Sequence, residues 1–322
     1  MIRRHFVAAL ALGLSCTVPV AAWAQSFPSK PIRMVVPFGA GSTTDVIARS
    51  IGQVIGADLG QQAVIENRPG AGGTIGAAEV ARGAPDGHLL VLGTVASHAV
   101  APSMMQSAKY DPIADFEPIT LIANAPGVLV VHRSIPASNL KELVSYLKSH
   151  PGTDYVSAGV GTTTHLSGEA FKLAAGVSMT HIPYKAVGQA ISDLLAGTVK
   201  VMFYQLPSVR AHVANGNLKL IAVTSPKRIA GAPDIPAVSE TYPGFDFSAW
   251  FGIFAPANTP KPVIDLLYGS ITKAMKTPEM KQIMTDQGLE ASAIPPDEFR
   301  TFMKTDIVKW KKVIAETNVK LE

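Results

Sequence analysis

Two short segments of this chain carry residue types suited to holding an anion, and they match each other. One is Gly39-Ala40-Gly41-Ser42-Thr43-Thr44-Asp45-Val46; the other, about 120 positions later, is Gly159-Val160-Gly161-Thr162-Thr163-Thr164-His165-Leu166. In each, glycines let backbone N–H groups turn inward, and the hydroxyl residues that follow can donate hydrogen bonds and cap a helix. A helix N-terminus in turn favours negative charge. Each shielded, charge-assisted hydrogen bond contributes about 1.5–3 kcal/mol. One such segment is more often an ordinary capped turn between strand and helix. A matched pair suits an anion held between them, or one carboxylate at each end of a diacid.

The same residues fit other chemistry poorly. The Lys of G-x-x-x-x-G-K-[ST] is missing from both segments, and Thr44 and Thr164 stand where G-x-G-x-x-G needs its last glycine. Gly70-Ala71-Gly72-Gly73-Thr74-Ile75-Gly76 misses that spacing as well. Ser157, within Tyr155-Val156-Ser157-Ala158-Gly159, lacks the first glycine of a nucleophile elbow. His165 and Glu169 are spaced to share a helix face, but two ligands make a poor metal site. A cap or a cross-loop hydrogen bond is the favoured role for His165. Asp45 reads as a first-turn acid complementing the helix dipole; beside an anion it must face away, accept from the ligand or be bridged by water. His88 and His98 have no assignable partners. No enzyme activity, metal or cofactor is expected.

The elements that must position these segments alternate between short β-rich runs and helical patterns, the mark of an α/β sheet. Ile32–Phe38 reads as a buried strand and Thr44–Leu59 as a helix stopped by Gly60. A strand at Ala63–Glu66, a glycine-rich loop, a helix at Thr74–Arg82 and a strand at Leu89–Leu92 follow. A similar series restarts near Ile119. Its strands are placed at Val128–Val131, Tyr155–Ala158, Met179–Ile182, Val199–Phe203 and Leu218–Val223. Its helices are placed at Leu140–Ser149, Thr163–Ala175 and Gln189–Leu195. Residues 226–247 read as a surface connection, Phe251–Ala255 as a strand crossing back, and 262–322 as mostly helical. A stripe of Phe299, Phe302, Met303, Trp310 and Ile314 marks the last helix as core-packed. Two lobes follow, residues 25–124 with 249–322 and residues 125–248, joined by two crossings, with the C-terminal helices returning to the first lobe.

The first 24 residues read as a secretory signal peptide: Arg3 and Arg4, an apolar run from Phe6 to Leu14, and Ala22-Trp23-Ala24 as the cleavage site. Gly13-Leu14-Ser15 is a poor lipobox for Cys16, so a soluble periplasmic product cleaved after Ala24 is expected. Cleavage leaves 298 residues (322 minus 24), without the single cysteine, and 26 basic against 24 acidic residues, a net charge of +2. Near-balance, with no basic run interleaved with aromatics, argues against nucleic acid. No later apolar run is long enough to span a bilayer.

Across the mature chain the residues resemble the extracytoplasmic receptors of tripartite tricarboxylate transporters, the Bug receptors. The resemblance is carried in order by Pro37-Phe38-Gly39-Ala40-Gly41 through Asp45-Val46-Ile47-Ala48-Arg49, by Glu66-Asn67-Arg68-Pro69-Gly70-Ala71-Gly72-Gly73, and by Ala84-Pro85-Asp86-Gly87. It continues in Gly161-Thr162-Thr163-Thr164-His165-Leu166, Ile182-Pro183-Tyr184-Lys185, Leu194-Leu195-Ala196-Gly197 and Trp250-Phe251-Gly252-Ile253-Phe254-Ala255-Pro256. It implies an α/β, two-lobed periplasmic-binding-protein (Venus flytrap) fold that closes on a small carboxylate. It also implies delivery to a membrane permease of one large and one small subunit, by a monomeric receptor. The implied contacts are main-chain groups from Ala40 to Thr43, polar groups of Ser157, Gly161 and Thr162, and a wall at Tyr204. With Phe38, Asp45 and His165 these complete the candidate ligand set Phe38, Ala40, Gly41, Ser42, Thr43, Asp45, Ser157, Gly161, Thr162, His165 and Tyr204. Ser42 stands where the family often has glycine, and Asn258 likewise, so ligand preference is open to difference here. A carboxylate sensor without a transporter, or a periplasmic enzyme acting on carboxylates, are the alternative functions.

Overall fold

A computed structural model describes residues 27–104, 108–184, 187–229, 231–317 and 319; the signal peptide and Cys16 lie outside them. The strands are β1 (Ile32–Val36), β2 (Ala63–Asn67), β3 (Leu89–Thr94), β4 (Phe116–Ala125), β5 (Gly127–His132), β6 (Thr153–Ser157), β7 (Met179–Pro183), β8 (Val201–Gln205), β9 (Leu218–Val223), β10 (Ala249–Pro256) and β11 (Glu290–Ile294). The helices are α1 (Thr43–Leu59), α2 (Thr74–Ala81), α3 (Ala101–Met104), α4 (Leu140–Ser149), α5 (Thr163–Ala175), α6 (Val187–Ala196), α7 (Leu206–Ala214), α8 (Lys261–Met275), α9 (Pro278–Asp286) and α10 (Pro296–Thr317). They build two sheets, one ordered β11-β4-β10-β3-β1-β2 and the other β7-β6-β8-β5-β9.

Burial on both faces explains the apolar strands. Ile32, Met34 and Val36 pack on one side with Ile47 and Ile51 of α1 and Leu267 and Ile271 of α8. Val35 and Val91 point to the other side, toward α2 and α10. Fully burying one such side chain contributes about 1.5–3 kcal/mol. Gly60, at φ 70°, closes α1 in the left-handed cap conformation that glycine adopts without penalty.

Strand direction decides where the two anion-type segments lie. β4 ends and β10 begins at the crossings between sheets, because Ala125 pairs with Ala249. Antiparallel pairing of β10 with β3 sets Phe251 opposite Thr94, so β3 ends there too, and β1 runs parallel to β3. In the second sheet Gly127 pairs with Gln205, so β8 ends at the crossing, and β6 runs parallel to β8. The segments after β1 and β6 therefore both emerge at the hinge-side ends of their sheets, where α/β folds place ligands. The crossings are tied together: the Thr224 N–H donates to Gly127 O at 2.8 Å and the Phe247 N–H to Thr224 O at 2.9 Å. A Cβ on Gly127 would come within 2.4 Å of Thr224 Oγ1, so only glycine fits.

Two expectations need correction. Residues 226–247 are not merely surface, since Ala237, Val238, Phe245 and Phe247 are buried. Helix α10 does not return to the first lobe alone: it packs on β4 and also on α5 of the second sheet. Its Trp310 meets Phe247 edge-on at 5.5 Å. Buried Asp306 accepts from Trp250 Nε1 at 2.7 Å and Trp310 Nε1 at 2.9 Å, and pairs with Lys309 at 2.7 Å, which fastens α10 to the hinge strand β10. The apolar stripe was legible; the second lobe it touches was not.

Candidate ligand site

The two segments fold to nearly the same local structure. Gly41 and Gly161 have φ of 78° and 73°, a region open to glycine and strained for other residues. The helix caps that follow, Ser42 (φ −68°, ψ 159°) and Thr162 (φ −73°, ψ 160°), are almost superposable. Ser42 Oγ accepts from the Asp45 N–H at 3.2 Å, and Thr162 Oγ1 from the His165 N–H at 3.3 Å. The Ser42 N–H donates to Gly39 O at 3.2 Å, and the Thr162 N–H to Gly159 O at 3.3 Å.

The third helical residue of each segment reaches back under its own loop. Asp45 Oδ2 accepts from the Gly41 N–H at 2.9 Å; His165 Nδ1 accepts from the Gly161 N–H at 3.1 Å. The caps satisfy the third and fourth helical N–H groups. The N–H groups of Thr43 and Thr44, and of Thr163 and Thr164, stand at positions where a helix supplies no acceptor. Those N–H groups, with the helix dipoles behind them, are what each segment can offer an anion.

Asp45 is buried, and its carboxylate is turned into its own lobe. Arg49 Nε donates to Oδ2 at 3.0 Å and Asn67 Nδ2 to Oδ1 at 2.9 Å, while Asn67 Nδ2 also reaches Phe38 O at 3.0 Å. Burial opposes ionisation of Asp45, but the hydrogen bonds from Arg49, Gly41 and Asn67 outweigh it and hold its pKa below the ordinary value. The reservation about an acid beside an anion site is met by its facing away. Asn67 was missed as a site residue; it lies at the end of β2, inside a motif already noted.

Beneath the second segment, Ser157 is fully buried. Its Oγ accepts from the Gly159 N–H at 3.1 Å and lies 2.6 Å from His181 Nε2. The rings of His165 and His181 stack at 3.8 Å, and His181 stacks on Tyr155 at 5.0 Å. Tyr155 donates to Glu169 Oε1 at 2.6 Å, and Lys172 pairs with Glu169 at 2.7 Å. Burial lowers the pKa of His165; burial and then neighbouring His165 bring His181 down to about 4. His181 was not anticipated, because only the parallel pairing of β6 with β7 sets it beside Tyr155.

Of the remaining candidates, Ala40 is exposed, and Phe38, Ser42, Thr43 and Tyr204 are partly exposed. Thr43 Oγ1 donates to Gln287 at 2.8 Å. Thr162 Oγ1 also donates to Gly159 O at 2.7 Å and lies 2.9 Å from Thr164 Oγ1, so its hydroxyl is spent inside the loop. Tyr204 lines a small void with Thr163, Thr164 and the hinge residues Gly127 and Thr224. Tyr184, unforeseen, abuts the second segment: its N–H donates to Ser157 O at 3.2 Å. His98 lies in the core, stacked on Phe254 at 4.2 Å.

Residues 47–319 match the model of the tripartite tricarboxylate transporter family receptor. BugT of Bordetella pertussis is 35% identical over 302 residues, 93% of each chain. This chain belongs to the tripartite tricarboxylate transporter receptor family. Among solved structures, the periplasmic binding protein BugD is 35% identical with a TM-score of 0.77, over 92% of this chain and all of that one (100%). Rpa4515 of R. palustris, solved with adipate, is 31% identical with a TM-score of 0.79, over 91% of this chain and 99% of that one. MatC of Rhodopseudomonas palustris, solved with bound malate, is 31% identical with a TM-score of 0.76, over 89% and 100%. The receptor shares the two-lobed periplasmic-binding-protein fold of these neighbours, and its relatives are solute-binding proteins, not enzymes. Among the described residues no helix is long and apolar enough to cross a membrane, and no group of three His, Cys, Asp or Glu is placed to hold a metal.

Proposed function

We propose that this receptor holds a small dicarboxylate between its lobes, residues 25–124 with 249–322 and residues 125–248. The observation that carries the reading is the duplicated cap: two glycine-initiated helix N-termini, one per sheet, both at the hinge-side ends. In this reading the N–H groups of Thr43, Thr44 and Ala40 take one carboxylate, and those of Thr163, Thr164 and Val160 the other. Tyr204 forms the wall beside the hinge. Asp45, Ser157, His165 and the Thr162 hydroxyl, first assigned as ligand contacts, become supports that hold Gly41, Gly159 and Gly161 in place. Adipate and malate in the neighbouring structures support a dicarboxylate rather than a single acid group.

Closure on the ligand stabilises one of two lobe arrangements, because only the closed one lets both segments share it. A two-subunit permease then receives the ligand from the periplasm, to which the N-terminal segment directs the chain. Calorimetric titration of residues 25–322 with adipate and malate tests the binding step. One-to-one binding to either is expected. Heat of binding from neither, with refolded protein free of carried-over ligand, would sink the dicarboxylate reading.

A further inference from the structure

Resting on that reading, we propose that His165 is the positioning residue of the second anion segment and acts only as a neutral imidazole. Protonation of it releases the ligand. Gly161 is buried, and its N–H has His165 Nδ1 as acceptor at 3.1 Å, which fixes the imidazole proton on Nε2. Adding a proton at Nδ1 sets two N–H groups against each other across that contact. Either the ring turns or Gly161 moves, and Thr162 to Thr164, next in the chain, move with it.

The surroundings of the ring leave it little room to turn. His181 lies flat against it at 3.8 Å, with an interplanar angle of 12°. His181 in turn is held by Ser157 Oγ on one edge and Tyr155 on its face. Two cations side by side cannot be accommodated at that stacking distance, so the pair carries at most one positive charge. Among the described residues, the charged groups that face the rings come from α5: Glu169, whose Oε1 is 3.9 Å from His165 Nε2, and Lys172, which neutralises Glu169 at 2.7 Å. From β6 Tyr155 faces them, and from β7 His181 itself; neither brings a compensating negative charge.

Linkage gives the direction. Both imidazoles are depressed from the ordinary value of 6.5, so the unfolded or loosened segment takes up protons first as pH falls below 6.5. The ordered, ligand-competent segment is fully favoured above 6.5 and is lost toward the lowered value. The first segment has no such window, since Asp45 is held ionised below the usual carboxylate range.

The test compares dicarboxylate affinity of wild type and His165→Asn between pH 7.5 and 4.5, with adipate and malate as probes. Asn keeps an acceptor where Nδ1 stands and does not titrate. Protonation of the ligand weakens both proteins alike, so the difference between the profiles is the readout. Wild type is expected to lose up to about tenfold more affinity for each pH unit as the pH falls from 6.5 toward the lowered value of His165 in the ordered segment. Superimposed profiles overturn the proposal. Imidazole 15N spectra of wild type, which need no ligand and no variant, must show the Nε2–H form of His165 at pH 7.5; an Nδ1–H form overturns the proposal outright. Absence of binding at pH 7.5 would instead remove the receptor reading and leave the spectra to decide the role of His165.

Discussion

The two matched segments share their backbone angles and their cap hydrogen bonds but differ in what holds the loop from below. In the first, a carboxylate fed by Arg49, Asn67 and the Gly41 N–H forms a charged knot. In the second, the same backbone N–H goes to a neutral ring stacked with half-buried His181, which stacks in turn on buried Tyr155. The first tolerates water, since Gly39 to Gly41 are exposed and the ion pair neutralises Asp45. The second excludes water from Gly161 and carries its charge elsewhere, on Glu169 and Lys172. One backbone solution is thus reached through two kinds of acceptor, because the loop needs a lone pair at that point and does not need a charge.

The largest expected effect comes from removing the charged knot. Asp45→Ala removes the hydrogen bonds that its buried carboxylate accepts from Arg49, Gly41 and Asn67, and hydrogen bonds to charged groups are worth about 1.5–3 kcal/mol each, although Gly41 is open to water and Asn67 keeps Phe38 O. A loss of about 3 kcal/mol is expected in urea unfolding, as a lower midpoint at unchanged m. A change below about 1 kcal/mol would show that the loop does not depend on Asp45. Making the second segment like the first is the next test. His165→Asp keeps the acceptor for Gly161 but brings no Arg49 or Asn67 with it, so a bare charge faces the ligand. At roughly 7 Å and an effective dielectric of about 20 the repulsion is about 2 kcal/mol, which weakens adipate binding by some tens-fold. Unchanged affinity would mean that charge beneath the loop is irrelevant. The smallest effects belong to the caps. Ser42→Ala and Thr162→Ala should each cost about 1 kcal/mol of stability. Thr162→Ala should cost slightly more, because its hydroxyl also holds Gly159 O; equal losses would show that this extra bond contributes nothing net.

Much of the frame was legible. Helices α1 and α5 begin within a residue of where glycine, hydroxyl cap and apolar period place them, and α4 and β9 match at both ends. These elements are specified locally, by caps and spacing. Strand β4 was not recognised: Pro118 interrupts its ladder, and the register against β10 shifts between Ile253 and Phe254 at that point. Strand β11 and helix α7 were missed as well; α7 starts directly after β8 with Pro207 in its first turn and no polar cap to announce it. A cross-loop hydrogen bond for His165 was anticipated, and the structure supplies it. Ser157 illustrates the opposite case. The family resemblance implied a ligand contact for it; the structure sets it, buried, against His181, which lies 24 positions away in sequence.

By itself, then, the sequence determined the strand-to-helix segments, their capping chemistry and the family, since each depends on residues within a few positions or on motifs in a fixed order. The tertiary structure alone decided which polar groups are already engaged within the protein. Asp45, Ser157, Thr162 and His165 are all polar and near the loops, but hydrogen-bond partners brought in by β2, β7 and the loops themselves consume their capacity. What a donor or acceptor is engaged with is set largely by packing between elements far apart in the chain.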